Sequence, residues 1–245
     1  MDAVGDLLAR DRRSDRPALV VGDGRERSYH ELITNAYKAG NVLRFHGVGE
    51  GRTVAVAPVP DLPPVFAFLG AAQLGAATRF DPEAGADAGD RLLLVPGAEQ
   101  AAYDPGPGTK LAVFGDDADA ADTVDWEESV WSENPAFPPT SVDPATPLLV
   151  GEDWRVSHGD ALTAAAEVAD LRRLDADSRV VVRSSLAEPG AVVAGLLAPL
   201  LVGGCAVLAD PAAPASDARG DLAVTSGRGP EPATLAPDDV LRSVE

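Results

Sequence analysis

Two lysines and one cysteine are all that this chain of 245 residues holds of either type. The single cysteine, Cys205, excludes an intrachain disulfide framework and any cysteine metal cluster. It lies in "LLVGGCAVLAD", where a small core residue is expected. Histidine is scarce too. His30, His46 and His158 are far apart, and no His-Glu-x-x-His pattern occurs, so no metal site is expected. Positive charge is in deficit: 20 Lys and Arg face 39 Asp and Glu, a net charge of -19. Such a surface repels nucleic-acid phosphates and anionic membranes, which excludes both as partners. Long hydrophobic runs are missing as well. The N-terminus, "MDAVGDLLARDRRSD", has no apolar signal core. The longest run, "GAVVAGLLAPLLVGGCAVLA", is broken by Gly and Pro. Its helical part, 191–202, is shorter than the ~20 residues a membrane span needs. The expectation is a soluble cytoplasmic protein.

Aspartate and apolar residues are what the chain has instead. Asp supplies 26 of the 39 acidic residues, spread over the whole length. At molar salt the Debye length falls to about 3 Å and the self-repulsion of such a surface is screened. An Asp-rich, Lys-poor chain therefore reads as a halophilic acidic protein of a salt-accumulating cytoplasm. Hydrophobic residues make up 45%, enough for a substantial core.

Strand and helix signals alternate along the chain. A short helix is expected over 3–12, and "PALVVGDGRERSY" reads as strand, Gly-Asp-Gly turn and strand. Ser28 and Glu31 have capping-box spacing, and Leu32, Ala36, Ala39 and Leu43 continue at helical spacing to a stop at Gly47. "TVAVAPV" is a buried strand, and "LPPVFAFLGAAQLGAATRFDP" opens with prolines and continues as a helix apolar nearly all round. "DPEAGADAGD" reads as a loop, "RLLLVPG" and "KLAVFG" as strands, and 133–147 as a proline-rich connector. After it come an apolar strand 147–150, the turn Gly151-Glu152-Asp153-Trp154, a return strand 155–157 and a helix over 160–174. "SRVVVRS", a helix over 191–202, "CAVLA" and a last strand "DLAVTSG" precede a polar tail. The class is α/β with largely parallel sheets.

Catalytic motifs are wanting. There is no Gly-x-Ser-x-Gly elbow, no Gly-x-x-x-x-Gly-Lys-Ser/Thr loop and no Gly-x-Gly-x-x-Gly. Ser184 and Ser185 follow a strand, but no histidine lies near them in sequence. "GDDADAAD" lacks EF-hand spacing and reads as a solvated acidic loop. In "TSGRGPEP" two prolines remove amides that a phosphate cradle needs. His46, near a helix C-terminus, sits where a protonated ring is favoured.

Two segments together resemble the N-terminal domain of the AMP-forming adenylate ligases, the superfamily of acyl-CoA synthetases, luciferases and peptide adenylation domains. One is 28–82, with its Glu-Leu helix start, Gly-Val stop, Gly-rich turn, Val-rich strand and apolar helix ending in Gly-Ala. The other is 177–210, with "DSRVVVRSS" and "GLLAPLLVGGCAVLAD". The resemblance implies a layered α/β sandwich over 1–245, a single domain with 133–147 as the place for a subdomain break. It also implies a Ser/Thr/Gly phosphate loop ending in Pro-Lys-Gly between Val150 and Val156. Only Gly151, Glu152, Asp153, Trp154 and Arg155 stand there, and two of them are acids that oppose a triphosphate. By resemblance the chain also lacks the Thr-Glu magnesium motif, the ribose-binding Asp and the C-terminal domain with its catalytic Lys.

The leading expectation is a non-catalytic, truncated ligase-like protein that binds or regulates, without a cofactor, beside a full-length synthetase or another protein. An acyl or CoA ligand stays open. One alternative is half of a split acyl-CoA synthetase completed by a partner chain. Another is an unrelated α/β binding protein built on a single sheet.

Overall fold

A computed structural model describes residues 1–84, 89–138, 140–210 and 218–242. In chain order the strands are β1 (Pro17–Val20), β2 (Glu26–Ser28), β3 (Thr53–Val56), β4 (Ala77–Arg79), β5 (Asp90–Pro96), β6 (Lys110–Phe114), β7 (Val124–Asp125), β8 (Pro147–Val150), β9 (Arg155–Ser157), β10 (Arg179–Val182), β11 (Cys205–Leu208), β12 (Leu222–Val224) and β13 (Thr234–Leu235). The α-helices are α1 (Tyr29–Phe45), α2 (Leu62–Gln73), α3 (Trp126–Ser132), α4 (His158–Arg172), α5 (Pro189–Val192) and α6 (Ala198–Val202). Two compact units divide the chain. The first holds Met1–Ile33, Val59–Asp61 and Ser157–Glu245; the second holds Thr34–Pro58 and Leu62–Val156. The 133–147 connector lies inside the second unit.

The first unit is built on a sheet of order β13-β12-β10-β11-β1-β2. All its pairs are parallel except the β1–β2 hairpin, whose turn uses Gly24 at φ 84°. The central strands read Val-Val-Val and Cys-Ala-Val-Leu and are buried, as a parallel sheet covered on both faces requires. Helix α4 starts one residue after Ser157, whose hydroxyl accepts from the Asp160 amide. Between α5 and α6, Val193–Leu197 is π-helical, and the Ala198 amide bonds the Val193 carbonyl five residues back. Three expectations need correction. The N-terminal segment is two 3-10 turns, Val4–Leu8 and Arg10–Arg12, not one helix. Helix α4 begins at His158, two residues early. The tail after β12 also contributes a strand, β13. Arg183 and Glu231 tie that tail down through an ion pair of 2.6 Å whose side chains are 9% and 0% exposed.

The second unit has the order β7-β6-β5-β3-β4-β8-β9. The pairs from β7 through β8 are parallel. All twelve residues of α2 are buried, which explains why its sequence is apolar all round. The helix is shorter than expected: it ends at Gln73, Gly75 turns the chain at φ 67°, and Ala77–Arg79 form β4 beside β3. Pro63 and Pro64 fall in its first turn, where no amide is missed. Gly70 lets this helix meet α1. A Cβ there would lie 2.8 Å from the Gly40 amide nitrogen and 3.1 Å from the Ala39 carbonyl carbon. Nearby, Gln73 Nε2 donates to the Ala36 carbonyl at 3.1 Å. The Ser28–Glu31 box forms as the spacing predicts, with Ser28 N donating to Glu31 Oε2 at 2.9 Å and Glu31 N to Ser28 Oγ at 3.2 Å. Gly47 ends the helical segment at φ 83°. Of the loop expected over 81–90, residues 82–84 form a 3-10 turn, and 85–88 lie outside the described residues.

Candidate functional site: the closed β8–β9 hairpin

The expected site residues sit at the edge of the second sheet, where β8 turns back into β9. The turn is tight. The Gly151 amide donates to the Trp154 carbonyl at 2.9 Å, so the first amide available to a phosphate is already used. The Trp154 indole lies against Gly151, and a Cβ on that glycine would overlap the ring. Trp154 is 37% exposed. The brevity of the turn and the pairing of its two strands leave no room for a looped-out chain of inward amides between Val150 and Arg155.

Beside the hairpin runs a groove of about 680 Å³. Gly151, Glu152 and Arg155 line it, whereas Asp153 and Trp154 do not. Sequence reasoning did not find its other charged residues, Arg52, Arg79, Asp81 and Asp90. Arg79 Nη2 meets Asp90 Oδ2 at 2.7 Å, with side chains 11% and 1% exposed. Arg79 is the last residue of β4 and Asp90 the first of β5, and neither segment by itself signals that the two will meet. Three arginines face three carboxylates in this groove, so its charge is balanced.

None of the other candidates lines this groove. Among the described residues no group of three or more His, Cys, Asp or Glu could hold a metal ion. Ser185 Oγ accepts from the Ala187 amide, and the Ser184 amide donates to the Val224 carbonyl. His158 is fully buried and its Nδ1 accepts from the Val4 amide at 3.2 Å. Burial lowers its pKa to about 4, with Asp6 opposing the change. His46 departs from expectation. Burial, then the charge of Lys110, lower its pKa, so the ring is held towards the neutral form instead of being protonated by the helix end. Cys205 is buried and its thiol is pushed up to about 11 by burial, as befits an inert core residue. Among the described residues no helix is long and apolar enough to cross a membrane.

The fold is that of the N-terminal domain of adenylate-forming enzymes: helices on largely parallel sheets, and two sheets where an unrelated single-sheet protein would have one. The particular likeness is to CoA ligases. The anthranilate CoA ligase AuaEII in complex with anthranoyl-AMP superposes with a TM-score of 0.79 at 18% identity, over 91% of this chain and 49% of that one. A benzoate CoA ligase from Burkholderia xenovorans LB400 gives 0.73 at 18%, over 91% and 50%. Apo MatB from Rhodopseudomonas palustris gives 0.72 at 15%, over 91% and 49%. The chain thus spans about half the length of these structures. No family model matches the sequence, and no curated protein does.

Proposed function

We propose that this chain keeps the ligase fold without ligase chemistry and works as a binding or regulatory module. One observation carries the reading. Where the resemblance calls for a phosphate loop, β8 and β9 close through Gly151–Trp154, with the Gly151 amide bonded to Trp154 and the indole packed on the glycine. Glu152 and Asp153 add negative charge at the same point. Fold alone does not assign function, and the CoA ligases it resembles differ from it in length by about half.

ATP–pyrophosphate exchange with a panel of carboxylic acids tests the proposal. The pure protein should show none. Exchange by the pure protein would sink it. Exchange that appears only on mixing with a second chain would support the reading in which a partner completes a split acyl-CoA synthetase. The acidic composition fits work in a salt-accumulating cytoplasm, where a screened surface remains free to associate.

A further inference from the structure

The second unit carries a second groove, of about 710 Å³, between the end of α1 and α3. Val42, Phe45 and His46 form one wall, and Glu128, Ser129 and Ser132 face them. Phe45 is 83% exposed, and Trp131, between two of the lining positions on α3, is 85% exposed. Exposed large aromatics cost solubility unless a partner covers them, and they are common binding anchors. The rim is acidic. Asp117, Asp125, Glu128 and Glu133 line the groove, and among the described residues none of the four forms an ion pair. Asp125 caps α3 by accepting from the Glu128 amide, which fixes that wall. Trp131 already shows how its ring takes a cation: Lys38 Nζ lies 5.8 Å from the ring centroid while donating to the Trp131 carbonyl.

We propose that this groove docks a basic, arginine- or lysine-bearing segment of a partner protein, with Phe45 in the groove wall and the exposed Trp131 of α3 outside its lining as aromatic anchors. Charge selects the occupant. Four lining carboxylates outnumber the two lysines at this surface, Lys38 on the Trp131 ring and Lys110 whose charge acts on His46, so a cationic segment is favoured, and a second copy of a chain with net charge -19 brings the wrong sign. The surface is separate from the β8–β9 groove, so its test does not depend on whether nucleotide chemistry is absent.

The test titrates the full chain with a short peptide of alternating arginine and leucine, and with the same peptide carrying glutamate for arginine. Calorimetry at two salt concentrations reads the affinity. The arginine peptide should bind, more weakly as salt rises, and the glutamate peptide should not. A Phe45→Ser, Trp131→Ser double variant should weaken binding by at least about tenfold with an unchanged thermal melt, since both side chains are exposed. An Asp238→Asn, Asp239→Asn control removes charge elsewhere and should bind as the parent does. Equal binding by the aromatic double variant, equal binding of the glutamate peptide, or no binding of the arginine peptide would each overturn the proposal. So would a dimer in sedimentation that the double variant abolishes, because a second copy would then be the occupant.

Discussion

The buried ring of His158 should make the stability of this chain depend on pH. The ring is fully buried, and its Nδ1 accepts from the Val4 amide, so the neutral tautomer with the proton on Nε2 is the one that fits. Burial lowers the pKa from 6.5 to about 4. Above pH 6.5 folded and unfolded rings are both neutral, and the contribution to stability is complete. As pH falls towards 4 the unfolded chain takes up a proton that the folded chain refuses, so stability is lost through that window and levels off below it. Every tenfold drop in proton affinity is worth about 1.4 kcal/mol, which makes the total about 3 kcal/mol. His158→Asn keeps an acceptor near Nδ1 and removes the titration. Denaturant unfolding of both proteins at several pH values, in molar salt, should give a difference in stability that changes by about 3 kcal/mol between about pH 7 and pH 4. Proton NMR of the ring should show a titration midpoint of about 4. Parallel pH profiles for the two proteins, or a midpoint at the ordinary 6.5, would show that burial does not depress this ring's pKa.

Three further outcomes are expected. Glu231→Ala leaves the Arg183 guanidinium buried without its carboxylate and should cost about 3–5 kcal/mol in denaturant unfolding. Burial pushes the Glu231 carboxyl up, but the Arg183 hydrogen bond and charge more than offset it, so its pKa is lowered and the same pair should also weaken as pH falls through that carboxyl. Gly70→Ala drives a methyl into the α1 backbone and should cost about 1–3 kcal/mol, whereas a similar change at the open Gly49 should not. The melting temperature should rise steadily from low to molar potassium chloride, since a net charge of -19 is progressively screened; a flat salt profile would remove the halophilic reading.

Local rules made much of the fold legible. The Ser28–Glu31 box, the Gly47 stop and the all-round apolar α2 each state their own structure, because their partners lie within a few residues or their burial is written in composition. What escaped depends on distant partners. Nothing within "GRGPEPATL" signals that Thr234 will pair beside Ala223 or that Glu231 will meet Arg183. The N-terminal 3-10 turns hang on His158, 154 residues away. At the candidate site, the length of the turn was legible and its closure followed. The Arg79–Asp90 pair and the groove around it were not, since they arise from β4 and β5 being placed on either side of β3 by the sheet order.

A ligase fold whose phosphate-loop position is closed should not respond to nucleotide, which a thermal melt at molar salt with magnesium-ATP, AMP, CoA and acyl-CoA in turn would read. A ligand at about one hundred times its dissociation constant adds about 2.7 kcal/mol to the folded state, well within detection. Magnesium-ATP should give no shift. A saturable stabilisation by magnesium-ATP that a Gly151→Val substitution removes would contradict it.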